Sequence, residues 1–148
     1  MFRHILVPAD LSEHNRAALD VAAGLAHCPP PPGDPAGPGC RLTLLHVVET
    51  IDHVPFEELR DFYRRLEEKA RIGLEELAAA APEGAPPRET RVVFGKRAQA
   101  ILEVAVEAGC DLIVLTSRPV DPQHPASTWA TISHKVALLA SCPVLLVR

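Results

Sequence analysis

The chain has 148 residues, 47% of them apolar, and a formal net charge of −4. That is one domain's length, enough to bury roughly 68–70% of the unfolded surface. The acidic balance argues against a nucleic-acid module, which shows a basic face, and there is no run of about 18 apolar residues to span a membrane. Met1-Phe2-Arg3-His4 leaves no room for a signal peptide before the first apolar run, so the expected location is the cytoplasm.

Residues 4–8 form a short apolar run bounded by Pro8, the pattern of a strand covered on both faces, and Asp10 follows its end. Ser12 is placed to cap a helix in which Ala17, Ala18, Val21, Ala22 and Leu25 recur at helical spacing and form a small-residue face. Residues 28–40 read CPPPPGDPAGPGC, too rich in proline and glycine for regular structure. They read as a stiff loop inserted into the domain, with a docking ligand for another domain as the alternative. Residues 42–48 are a second strand. Pro55 opens a long helix in which Phe56, Leu59, Tyr63, Leu66, Ala70, Gly73 and Leu77 step by three or four. Its solvated face carries Asp61→Arg65 and Glu67→Arg71 at favourable i,i+4 spacing, and Pro82, Gly84, Pro86 and Pro87 end it.

Residues 90–94 alternate with charge and suit an edge strand. A helix over 98–108 turns Ile101, Leu102, Ala105 and Val106 inward, and Gly109 ends it in a left-handed conformation. A strand at 111–116, a loop at 117–127 with no glycine, a helix at 128–139 and a strand at 144–147 complete the chain. Such alternation predicts a doubly wound parallel sheet with helices on both sides. Ligands of such sheets bind outside the carboxyl ends of the strands, where Asp10, Val47 and Thr116 fall. Cys28, Cys40, Cys110 and Cys142 form no CxxC pair and are expected as free thiols. Cys28 with Cys40, and Cys110 with Cys142, are the pairs that could meet in space.

Four stretches carry a likeness: ILVPADLSEHNRAALDVAAGLA, LTLLHVVE, FGKRAQAILEVAVEAGCDLIVLTS and SHKVALLASCPVLLVR. In order and spacing they resemble the universal stress protein family over nearly the whole chain. The resemblance implies a five-stranded parallel sheet of order 3-2-1-4-5, the adenine nucleotide alpha hydrolase-like fold, and a homodimer that pairs its final strands. An apolar last strand that would otherwise be an exposed edge gives that pairing a physical motive.

Many family members bind ATP through Gly-x2-Gly-x9-Gly-Ser/Thr after the fourth strand. Its glycines let phosphate approach the backbone. Here the glycine positions fall on Thr116, Pro119 and Ala130, followed by Thr131, with the second interval one residue longer. Pro119 offers no N–H, and Thr116 and Ala130 place side chains where phosphate should approach. The resemblance makes Asp10 the adenosine-contacting acid and sets Val47 and Leu115 along the nucleoside pocket.

The candidate pocket is therefore Asp10, Val47, Leu115, Thr116, Arg118, Ala130 and Thr131, with its phosphate grip altered. The first functional reading is a stress-response protein acting through dimerisation and an unidentified protein partner, without family-type ATP binding and without a resident cofactor. The alternative is an ATP-, AMP- or other small-ligand-binding protein in which Arg118 replaces backbone donors. An enzyme, including a slow ATP hydrolase, is the weakest reading, because Ser117 lacks a base partner and Asp121 a paired carboxylate; no metal site is expected. Of the seven histidines, only His46 is placed inside a buried strand. His124 and His134 flank the altered loop, and Trp129 is placed to fill part of the vacated phosphate region.

Overall fold

The structure is a computed structural model that describes residues 2–26, 39–81, 84–86, 88–118, 123 and 131–148. The elements run β1 (His4–Pro8), α1 (Asn15–Ala26), β2 (Arg41–Glu49), a 3₁₀ turn (Phe56–Leu59), α2 (Arg60–Ala79), β3 (Arg88–Gly95), α3 (Arg97–Glu107), β4 (Leu112–Thr116), α4 (Ile132–Leu139) and β5 (Val144–Val147). The strands form one parallel sheet of order β3-β2-β1-β4-β5, as expected. The 28–40 insertion lies almost wholly outside the described residues. Among the described residues no helix is long and apolar enough to cross a membrane.

Successive side chains of a strand point to opposite faces, and the core divides accordingly. Ile5, Val7, Leu42, Leu44, Leu112 and Val114 pack with α1 and Leu74 of α2 on one face. Leu6, Leu45, Val47, Ile113 and Leu115 pack with α3 and Val136 of α4 on the other. The central strand is fully covered, so β1 reads as an unbroken apolar run. Each large side chain buried there contributes roughly 1.5–3 kcal/mol. Gly109 has φ of 64° and closes α3 as expected.

Several local expectations are corrected. The buried stripe of α1 is Asn15, Ala18, Leu19, Ala22, Ala23 and Ala26, whereas Ala17 and Leu25 are exposed. The small-residue face is real but turned by about one residue, because Leu19 takes the largest core position. Val106 also faces solvent, its inward place on α3 taken by Val104. The helix after Pro55 begins as a 3₁₀ turn, and Phe56, half exposed, stacks on Tyr63 at 4.8 Å. Arg71 pairs with Glu68 and Glu75, not Glu67, and Arg65 donates to the Asp61 carbonyl, not its carboxylate. On a solvated face several carboxylates compete for each arginine at similar energy.

His4 is the largest correction, for it is more deeply buried than the half-buried His46. Its ring nitrogens face the Ala108 carbonyl at 3.0 Å and Thr43 Oγ1 at 2.7 Å. Asp111 locks the start of β1 by accepting from the Arg3 and His4 N–H groups at 2.8 and 3.0 Å. Cys40, Cys110 and Cys142 are free thiols, and Cys28 lies outside the described residues.

Candidate functional site

The strand order reverses between β1 and β4, so their carboxyl ends border the crevice where this fold takes ligands. The turn from β1 into α1 is anchored from below. The Ala9 N–H donates to the Leu45 carbonyl at 2.8 Å, and His46 Nδ1 donates to the Ala9 carbonyl at 2.8 Å. Leu11 then adopts φ of 65°, a left-handed conformation costing a non-glycine residue roughly 1–2 kcal/mol. Its side chain is wedged over Gly73 of α2, where an added Cβ would meet both Leu11 methyls at 3.2 Å. Tertiary packing holds the turn in a conformation it would not adopt alone.

This turn presents Asp10, whose Oδ1 accepts from the Ser12 N–H at 2.9 Å. Burial acts to raise the Asp10 pKa, but polar groups of Ser12 and Asn15 outweigh it and hold the carboxyl below its ordinary value of 3.8. The expected hydroxyl cap by Ser12 is absent. Helix α1 begins at Asn15, whose N–H donates to the Ser12 carbonyl at 3.1 Å. Ser12 Oγ is buried beside Asp10 without the alignment of a hydrogen bond.

Asn15 is 1% exposed. Its Nδ2 reaches Thr116 Oγ1 at a long 3.5 Å, bridging the first turn of α1 to the end of β4. Among the described residues its Oδ1 has no hydrogen-bond partner. An unpaired buried amide oxygen costs about 1–3 kcal/mol, and native structures contain few of them. Two such oxygens and a strained residue therefore lie together at the ligand end of the sheet.

A second polar group lies between β4 and α4. Thr131, at the N-cap of α4, makes no side-chain cap bond. Its hydroxyl lies 2.7 Å from His134 Nδ1 and 3.2 Å from Ser133 Oγ, and Ser133 Oγ donates to Ser117 Oγ at 3.4 Å. Thr131 and His134 are three residues apart, so their pairing is local helix-start bonding and not a nucleophile oriented by a held base.

Of the expected pocket residues, Val47 and Leu115 are each 5% exposed and share one core cluster. Asp10 and Thr116 meet through Asn15, and Thr131 joins the hydroxyl group beyond β4. Arg118 is exposed, and Ala130, with Pro119, Asp121, His124 and Trp129, lies outside the described residues. Among the described residues no cluster of His, Cys, Asp and Glu can hold a metal. Sequence reasoning missed Asn15 and Ser133: a lone amide and a serine in helix first turns look like surface residues. The available signal was five residues' spacing from the acid.

A 3-2-1-4-5 parallel sheet with an acid at the end of its central strand defines an adenine nucleotide alpha hydrolase-like α/β protein. The chain belongs to the universal stress protein family, whose model matches residues 1–148. It is similar to a universal stress protein of Thermus aquaticus, 33% identical over 151 residues that cover 100% of both chains. Its fold is also that of a universal stress protein solved in complex with cAMP, with a TM-score of 0.68 and 21% identity over 99% of this chain and 97% of that one. A universal stress protein from Archaeoglobus fulgidus, solved with dAMP, has a TM-score of 0.60 and 19% identity over 99% and 98% of the two chains.

Proposed function

We propose that this protein binds a nucleoside or nucleoside monophosphate at the β1–β4 crevice and acts, as a homodimer, through a protein partner. It is a binding protein and not an enzyme. The observation that carries the reading is the pair of buried oxygens of Ser12 and Asn15, without a hydrogen-bond partner among the described residues, beside an ionised Asp10. A ligand would complete this unfinished hydrogen-bond network. The complexes of its relatives with cAMP and dAMP, each with one phosphate, support the ligand class. Thr116, Pro119 and Ala130 in place of glycines argue against a grip on a triphosphate. The free thiols of Cys40, Cys110 and Cys142 support a reducing compartment, the cytoplasm.

Calorimetric titration with AMP, cAMP and ATP, with and without magnesium, tests this. AMP or cAMP should bind one to one at micromolar concentration, with ATP about tenfold weaker. Equal or tighter ATP binding would overturn the monophosphate reading. Failure of all three would leave partner contact alone, with a pocket that has lost its ligand.

A further inference from the structure

We propose that His46 is a positioning residue of the pocket, its Nδ1–H holding the Ala9 carbonyl so that Asp10 meets the ligand in a fixed orientation. The inference rests on the ligand reading above and adds what aims the acid.

The side chain stands in a row that is otherwise apolar. Alternation along β2 sets Leu44, His46 and Val48 on one face, where Leu44 and Val48 are buried against α1 and α2. A half-buried polar ring in that row needs a partner, and the Ala9 carbonyl lies 2.8 Å from Nδ1. A carbonyl only accepts, so Nδ1 carries the proton.

The place of this bond along the chain gives it a role beyond packing. The last paired residues of β1 and β2 are Pro8 and Leu45. One residue further, the Ala9 N–H still reaches the Leu45 carbonyl at 2.8 Å, while the Ala9 carbonyl is taken by the His46 side chain. Each peptide unit is planar, so these two bonds fix the two successive planes that lead into Asp10. The Ala9 carbonyl shares its plane with the Asp10 N–H, and the direction in which the chain enters Asp10 is thereby set from β2. Leu11 follows with φ of 65°, and the Ser12 N–H reaches back to Asp10 Oδ1 at 2.9 Å. Removing the His46 bond frees the second plane to rotate, and the carboxylate turns with it. Hydrogen bonds weaken steeply with misalignment, so the aim of Asp10 sets how well it accepts from a ligand.

The test separates the donor from the ring. His46→Phe keeps an aromatic ring without the N–H, His46→Gln moves the N–H outward to the place of Nε2, and His46→Asn keeps it near the place of Nδ1 without the ring. Each variant is compared with the wild type by calorimetry with AMP, by thermal unfolding and by NMR titration of the Asp10 carboxyl. In the wild type burial works to raise that pKa, while Ser12 and Asn15 hold it below 3.8. The Phe and Gln variants should bind AMP about tenfold more weakly, and the Asn variant within about twofold of the wild type. The Asp10 pKa should rise in Phe and Gln and stay low in Asn. A fall in Tm alone, with AMP affinity and the Asp10 titration unchanged, would make His46 a structural brace and overturn the proposal. A loss of affinity in Asn as great as in Phe would assign the effect to ring packing and overturn it too. If the wild type binds no AMP, the ligand reading falls, and the Asp10 titrations alone then decide whether His46 aims the acid.

Discussion

His4 shows how a single side chain can be fixed by proton bookkeeping. The Ala108 carbonyl only accepts, so His4 Nδ1 carries a proton. Thr43 Oγ1 lies 2.7 Å from His4 Nε2 and donates to Glu89 Oε1 at 3.0 Å. This chain runs through Thr43, which is fully buried, to a carboxylate on the edge strand. His4→Leu should destabilise the protein by about 2–4 kcal/mol in urea titration, since it strands the Ala108 carbonyl and disturbs the Thr43 bond. Adding Thr43→Val should cost less than the sum of the single changes, because both partners are then apolar. The network was not legible in the sequence: Thr43 and Glu89 lie 39 and 85 positions from His4, and only sheet pairing brings them together. Cys110 gives the pH counterpart. Burial first, then the neighbouring Cys142, pushes its thiol from 9.0 up to about 11. A thiol raised on folding contributes stability that is full below its unfolded value and lost as pH rises through the folded one. The urea midpoint should therefore fall between about pH 9 and pH 11, and less steeply in Cys110→Ala.

At the scale of elements, α2 does more than cover the sheet. Its Gly73 admits the Leu11 side chain, and through Leu11 the helix supports the turn that presents Asp10. Alanine is the better helix former by about 1 kcal/mol, so propensity alone predicts that Gly73→Ala stabilises. The 3.2 Å approach to two methyl carbons predicts the opposite. Overpacking of this kind costs about 1–3 kcal/mol, and the displaced turn should also weaken nucleotide binding. Gly24 of α1 is the control, because an added Cβ there meets nothing within 4 Å. Gly24→Ala should raise stability by about 0.5–1 kcal/mol and leave binding unchanged. Opposite signs at the two glycines, in thermal unfolding, would establish the wedge; equal signs would remove it. The presence and order of the helices were legible because apolar periodicity reports burial directly, whereas their starts and the rotation of the α1 face were not. The left-handed Leu11 was not, since neither its identity nor its neighbours mark a positive φ.

For the whole molecule, strand order was legible because alternation and the family likeness both constrain it, whereas half of the site was not. Asp10, Val47 and Leu115 sit at strand ends that the pattern locates; Asn15 acquires meaning only when α1 packs against β4. The sheet also leaves β5 as an open edge with Leu145 38% exposed, next to α4, whose Leu138 and Leu139 are 83% and 68% exposed. An apolar edge is an invitation to strand pairing, and the proposed homodimer would satisfy it with two-fold symmetry. Sedimentation should therefore show a dimer at micromolar concentration. Leu145→Lys places a charge on the edge strand and should weaken the proposed dimer at least about tenfold, given roughly 1.5–3 kcal/mol for a buried leucine. Ile72→Lys, at a 45% exposed position on α2 that packs at the β2–β3 side of the sheet, should leave the dimer intact. The same loss in both variants would mean a general effect of added charge, and a dimer unaffected by Leu145→Lys would place the interface elsewhere. Because β5 pairs with β4 through Thr116 and Val147, weakening the dimer should also lower nucleotide affinity if the edge helps position the crevice. Unchanged affinity in a monomeric Leu145→Lys protein would show that pocket and interface work independently.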